Sequence, residues 1–187
     1  DQQFARQTFA GSPRVRRVRG GDSRAESVLA GLADLADQAH PDDVVLVHDA
    51  ARPLISADDI AAVIAAALQW PDDGVILATP VADTLKSCDP TAANNAHPQV
   101  TATVDRDGLW QAQTPQAARF GPLHAAMTAA VRMAEAGGVA VTDEAGALQQ
   151  FGITVRVVPA GQPNLKVTTR QDLALADAVL ARRLRNA

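Results

Sequence analysis

The chain has 187 residues, a formal charge of −4 and a pI near 5.5; it is long enough for one substantial core and too acidic for a general nucleic-acid coat, although a local basic pocket is compatible with that balance. Its single cysteine, Cys88, excludes a disulfide framework and a cysteine-rich metal site and agrees with a reducing compartment. No run reaches the roughly 18–20 apolar residues that span a bilayer, and the start DQQFARQTFAG holds no apolar signal core, so a soluble, cytoplasmic protein without membrane or nucleic-acid partners is expected.

Residues 1–10 read like the inside of a helix, with Phe4 and Phe9 among polar residues and no clear cap. After SPRVRRVRGGD, the spacing of Val28, Leu29, Leu32 and Leu35 predicts a helix over 23–38. Ser23 and Glu26 form an S-x-x-E capping box directly behind Gly20 and Gly21. DVVLV at 43–47 predicts a buried strand, Ser56 and Asp59 cap a helix through Leu68, and GVILAT at 74–79 predicts the next strand. Two successive strand–helix alternations imply right-handed crossovers and a parallel sheet.

From Ala82 to Arg106 the pattern breaks into a polar stretch whose two ends alternate weakly, which predicts a long β-hairpin leaving the main body with its tip at 89–98. An excursion of that length has a use, such as gripping a partner or covering a site. Beyond it the sequence predicts a helix over 121–136 ended by Gly137 and Gly138. A short helix over 143–150 capped by Thr142 follows, then a strand over 153–158 and a last helix opened by the Thr169/Asp172 box. The expected fold is α/β: a three-layer Rossmann-like sandwich with a mostly parallel sheet, in one domain over 1–187, with 82–106 as a protruding β-arm.

In an open parallel sheet, ligands bind beyond the carboxyl ends of the strands. Gly20, Gly21 and Asp22 stand at a helix start, where free N–H groups and the dipole favour a phosphate or the polar edge of a base; from local sequence alone a tight turn with a well-made cap and no ligand is the stronger account, and the glycine pair is weak evidence for a ligand. Asp49 follows a strand. It caps the following turn, or pairs with Arg52, or serves as a Mg²⁺ ligand beside the phosphates of a nucleoside triphosphate. His48, alone in its motif, reads as a supporting or core residue. Lys86, Arg106 and Lys166 are ordinary surface cations one by one, but Lys166, between a strand-like run and a helix cap, is within reach of the mouth where Asp49 stands. Cations gathered there would suit two phosphorylated substrates.

The segments GGDSRAESVLAGL, VLVHDAARP, TVDRDGLWQAQTPQ, TDEA and NLKVTTRQDLALA, in this order, resemble the 2-C-methyl-D-erythritol 4-phosphate cytidylyltransferases of the non-mevalonate isoprenoid pathway. The resemblance implies a nucleotidyltransferase that uses CTP, a polyol phosphate and Mg²⁺. It implies that Gly21, Asp22 and Ser27 meet the cytosine, and that Asp49 and Ala50 meet ribose, substrate and metal. Arg52, Thr114 and Thr142 would line the substrate mouth and Lys166 would hold the substrate. Thr84 and Arg106 would lie on the arm, which in that family clasps the neighbouring subunit of a homodimer and completes its site.

Such enzymes begin with a strand and a glycine-rich loop like AAGxGxRMxxxxPKQ that cradles the triphosphate. The present sequence lacks it, which makes residues 1–187 the expected ordered part of a longer protein. With that loop, Asp49, Arg106 and Lys166 are the residues expected to serve an in-line displacement in which the substrate phosphate is itself the nucleophile. No acid–base pair is needed, so His48, His97 and His124 are assigned no such role. The alternatives are a cytidylyltransferase for another polyol phosphate, such as ribitol 5-phosphate, and a non-catalytic nucleotide-binding protein.

Overall fold

The computed structural model describes residues 11–89 and 97–186; the helix-like reading of 1–10, and residues 90–96 of the expected arm tip, lie outside them. The elements run α1 (Arg24–Leu35), β1 (Val44–Val47), α2 (Ala57–Gln69), β2 (Gly74–Pro80), β3 (Leu85–Cys88), β4 (Val100–Val104), β5 (Trp110–Arg119), α3 (Phe120–Glu135), α4 (Glu144–Gln150), β6 (Val155–Pro159) and α5 (Arg170–Asn186). They group into two compact units. One comprises the chain through Val45 together with Arg119–Ile153, the other Leu46–Ala118 together with the chain from Thr154 onward.

In the first unit α3 packs against both α1 and α4. Leu32 of α1, Leu123 and Met127 of α3 and Leu148 of α4 are buried there, spaced so that each helix turns one apolar stripe inward. The Ser23 hydroxyl accepts the Glu26 N–H at 3.1 Å, as the capping box requires. Glu26 reaches one residue further back than that motif prescribes, accepting the Asp22 N–H at 2.7 Å. α3 ends where Gly137 takes φ 83° and the Gly138 N–H returns to the Met133 carbonyl at 2.9 Å, a left-handed C-terminal cap. α4 corrects the sequence reading: its cap is Asp143, whose Oδ1 accepts the Gly146 N–H at 2.9 Å, and not Thr142. A carboxylate acceptor at a helix start also complements the dipole, which a hydroxyl does not.

The four-stranded sheet has the order β1-β5-β2-β6. β2 runs parallel to β6 and antiparallel to β5, and β5 is the strand that the alternation of elements did not anticipate. Within the second unit α2 covers β2 and β6, burying Val63, Ala66 and Ala67 with Val75 and Leu77. Its cap is as expected, Ser56 Oγ accepting the Asp59 N–H at 3.0 Å. Asp59 is itself buried and accepts the Gly161 N–H at 2.8 Å, so one carboxylate joins a helix start to the loop after β6. β3 and β4 form a separate antiparallel ribbon in which Leu85 faces Val104 and Lys86 faces Thr103. All five residues of β4 are exposed. No helix among the described residues is long and apolar enough to cross a membrane.

Candidate active site

Three segments of the second unit meet around Asp49, two residues past β1. The turn that follows is closed by Arg52 N–H donating to the Asp49 carbonyl at 2.9 Å. The Asp49 N–H donates to the Thr114 hydroxyl at 3.0 Å, which fastens the turn to the middle of β5. His48 lies between the same partners: its Nδ1 is 2.9 Å from Thr114 Oγ1 and its Nε2 is 3.0 Å from the Arg52 carbonyl oxygen. On the other side, the Val167 N–H donates to the Ala51 carbonyl at 2.7 Å. That bond brings in the segment before α5, and with it Lys166.

The charges meet on one oxygen. Lys166 Nζ is 3.1 Å and Arg52 Nε 3.7 Å from Asp49 Oδ2. Lys166 is about half exposed whereas the Arg52 and Asp49 side chains are largely covered, so the cluster has a buried floor and an open cationic rim. Burial pulls the Arg52 pKa below its ordinary value, and the Asp49 carboxylate opposes that shift. At 3.7 Å the Nε–H is too far to hydrogen-bond Asp49, and it has no hydrogen-bond partner. The guanidinium is held instead by Nη1 donating to the Asn164 carbonyl at 2.9 Å. Asn164 is a site residue that the sequence reading missed. It is buried, and its amide donates to the Thr114 carbonyl at 2.8 Å and to Gln113 Oε1 at 3.1 Å.

Of the residues expected from sequence, Asp49, Arg52, Thr114 and Lys166 therefore converge, with Ala50 exposed in the turn between them. Thr84 stands one residue before β3 and Arg106 two residues after β4, both exposed at the feet of the arm. The base of that arm is pinned by the Leu109 N–H to the Arg106 carbonyl, 2.9 Å, and by the Val81 N–H to the Leu109 carbonyl, 3.0 Å. Asp105 caps the Asp107 N–H at 3.0 Å.

The remaining candidates belong to the first unit. The Gly21 N–H donates to Ser27 Oγ at 3.2 Å, and Ser27 donates to the Ser23 carbonyl at 2.9 Å. With Asp22 bound to Glu26, the two amides at the helix start are engaged by side chains of its own first turn. The glycine pair has a steric cause: a Cβ on Gly21 would lie 2.3 Å from the Glu26 Cβ, and one on Gly20 would lie 2.7 Å from Ser27 Oγ. Thr142 is exposed and lines a cleft of about 390 Å³ with Ser23, Glu26 and the alanine-rich end of α3. Arg24, on the same cleft, makes a two-pronged ion pair at 2.6 and 3.0 Å with the buried Glu144.

Among the described residues no three or more His, Cys, Asp or Glu side chains are grouped to hold a metal. Asp49 offers a single carboxylate in the cluster. That fits a Mg²⁺ ion brought in on phosphate oxygens, for which one or two protein carboxylates suffice, and does not fit an all-protein cage.

The fold is the α/β layered sandwich of the nucleotidyltransferases, with a strand-end site rich in cations. The family model for 2-C-methyl-D-erythritol 4-phosphate cytidylyltransferase, IspD, matches residues 1–182, and the chain belongs to that family. Among curated relatives bearing the same description, that of Chromohalobacter salexigens is 46% identical over 165 residues, covering 88% of this chain and 62% of its own length. That of Halorhodospira halophila is 49% identical over 174 residues, covering 91% of this chain and 65% of its own length. The crystal structure of the Francisella tularensis enzyme superposes with a TM-score of 0.73 at 36% identity, over 85% of this chain and 69% of that one. The chain thus spans a little under two thirds of the length of these two curated relatives.

Proposed function

We propose that the protein transfers the cytidylyl group of CTP to 2-C-methyl-D-erythritol 4-phosphate, giving the CDP-alcohol and pyrophosphate. The observation that carries this reading is the meeting of Lys166 and Arg52 on the Asp49 carboxylate at the end of β1, in a chain of this family. An oxygen of the substrate phosphate attacks the α-phosphorus of CTP; the new P–O bond forms as the bond from that phosphorus to the bridging oxygen of pyrophosphate breaks, and pyrophosphate carries away the electron pair. The nucleophile is already an anion, so the side chains have only to position it and offset charge.

Lys166, half exposed on the rim, is suited to hold the substrate phosphate, and Thr114, itself buried with its hydroxyl engaged by Asp49 and His48, would serve that mouth by holding the Asp49 turn in place. Arg52, tethered through Nη1, contributes fixed positive potential from the floor. Mg²⁺, when bound with the triphosphate, would be held by Asp49 and would neutralise phosphate charge. Gly21, Asp22 and Ser27 would meet the cytosine. Because the Gly21 and Asp22 N–H groups are already committed to Ser27 and Glu26, base recognition would fall on the turn's remaining backbone groups and its shape. Arg106 and Thr84, at the feet of the arm, would complete the site of the neighbouring subunit in a homodimer.

Pyrophosphate release measured on the full-length protein with CTP and methylerythritol phosphate, and with ribitol 5-phosphate in parallel, tests the proposal. Release with the first acceptor is expected. Inactivity with it, or faster turnover of ribitol 5-phosphate, would overturn the substrate assignment.

A further inference from the structure

We infer that Asn164 is a positioning residue that sets where the Lys166 ammonium stands. Three of its bonds converge on the cluster from different segments. The side-chain amide donates to the Thr114 carbonyl and to Gln113 Oε1, both on β5, and the backbone carbonyl accepts Arg52 Nη1. Two residues on, Lys166 reaches Asp49, and the next residue, Val167, is bound to Ala51. The segment carrying Lys166 is therefore fastened on both sides of the lysine, to β5 through Asn164 and to the Asp49 turn through Val167.

Packing alone does not account for an asparagine here. Asn164 is 3% exposed and its Oδ1 has no hydrogen-bond partner. A buried acceptor without a partner is a local cost that an apolar side chain of similar shape would avoid. The residue makes physical sense as two amide hydrogens aimed at two fixed acceptors, with the idle oxygen tolerated. One acceptor belongs to Thr114, whose hydroxyl holds Asp49, and the other to its neighbour Gln113, so one asparagine couples the height of the cation to that of the anion. As a statement about catalysis this rests on the cytidylyl-transfer reading; as a statement about Lys166 it does not.

Lys86 and Lys166 are the chain's two lysines, which gives the test an internal reference. Brief acylation of the folded full-length protein with acetic anhydride, quantified by mass spectrometry, reads the Lys166-to-Lys86 labelling ratio. An amine held against a carboxylate is shielded, and release from a half-exposed pair of this kind should raise the ratio roughly twofold to fivefold. Asn164→Ala should produce that rise with a cooperative melt retained. Asn164→Ser, which keeps one donor, should fall between Ala and wild type, and it decides by the same criterion if the alanine variant does not fold. An unchanged ratio in a cooperatively melting variant overturns the inference. In parallel kinetics the KM for the polyol phosphate should rise while that for CTP holds; equal loss for both, with an unchanged ratio, marks a purely structural residue. Wild-type inactivity would sink the functional proposal and leave the labelling result to stand by itself.

Discussion

Glu144 is the most deeply buried charge among the described residues of the first unit, 1% exposed, and Arg24 at the start of α1 meets both of its carboxylate oxygens. The pair ties the first turn of α1 to that of α4. Buried ion pairs are costly to break from one side, because the surviving charge is left without compensation.

Arg24→Ala should accordingly destabilise the protein by about 1–3 kcal/mol, with the partial exposure of Arg24 placing it below a fully buried case. Thermal or urea unfolding measures this. Arg24→Ala together with Glu144→Gln should recover part of the loss, since the stranded charge is gone; a double variant weaker than the single one would contradict this account.

Lys166→Ala should behave in the opposite way. The ion pair with Asp49 is about half exposed on the lysine side, so its loss should cost no more than about 1 kcal/mol of stability, whereas turnover should fall roughly 10²-fold or more if the ammonium offsets charge on reacting phosphates. Asp49→Ala should likewise lose Mg²⁺-supported turnover with the fold retained. Pyrophosphate release alongside a melting curve separates the two effects. Turnover within a factor of a few of wild type would return these residues to a structural role.

Gly21 offers a test at the other group of candidates. A methyl group there would meet the Glu26 Cβ at 2.3 Å, so the backbone of the turn must move in Gly21→Ala. CTP binding measured by calorimetry should weaken by roughly tenfold, the loss of about one hydrogen bond. Because the obstacle is Cβ itself, adding Glu26→Ala should give no rescue. Unchanged CTP affinity in Gly21→Ala would remove this turn from base recognition.

The start of α5 carries a pH signature. The Asp172 carboxylate accepts the N–H groups of Thr168 and Thr169 and the Thr168 hydroxyl, and these bonds lower its pKa to about 2. The folded chain thus binds this proton less readily than the unfolded chain. The cap's contribution is complete above the ordinary value of 3.8 and drains away as pH falls toward about 2. Fraying at the start of α5, followed by amide exchange or NMR, should set in across that interval in the wild type and be present at neutral pH in Asp172→Ala.

A mixed-dimer experiment tests the arm. Combining Arg106→Ala subunits with Lys166→Ala subunits should restore one intact site per mixed dimer, and up to about half the wild-type activity, if each site takes its arginine from across a two-fold axis. No recovery despite confirmed subunit exchange would place Arg106 in its own subunit's chemistry or in none.

Local signals carried the sequence reading a long way. Ser23 before Glu26, Ser56 before Asp59 and Thr169 before Asp172 each open a helix within a residue of the expected start, because capping is settled over four residues. β5 escaped because Trp110–Arg119, WQAQTPQAAR, has little of the β-branched character that marks a strand and owes its conformation to pairing with β2. Asn164 escaped for a related reason. Nothing in NLKVTT distinguishes the asparagine; its value comes from Thr114 and Arg52, which are remote in sequence and adjacent in space. At α4, two plausible caps stand side by side, and local pattern alone does not separate Thr142 from Asp143.

The ring of contacts through His48 fixes where hydrogens reside. The Asp49 amide can only give a hydrogen and the Arg52 carbonyl can only receive one. Nε2, 3.0 Å from that carbonyl, must therefore bear the ring hydrogen, and in the neutral imidazole Nδ1 is left as a lone pair. Thr114 completes the circuit by receiving from Asp49 and giving to Nδ1. A methyl in place of its hydroxyl, as in Thr114→Val, would leave two unsatisfied groups with one change of nearly equal shape, whereas Thr114→Ser preserves the direction of every bond. The turn bearing Asp49 is thus wired with a polarity, and position 114 is where that polarity is set.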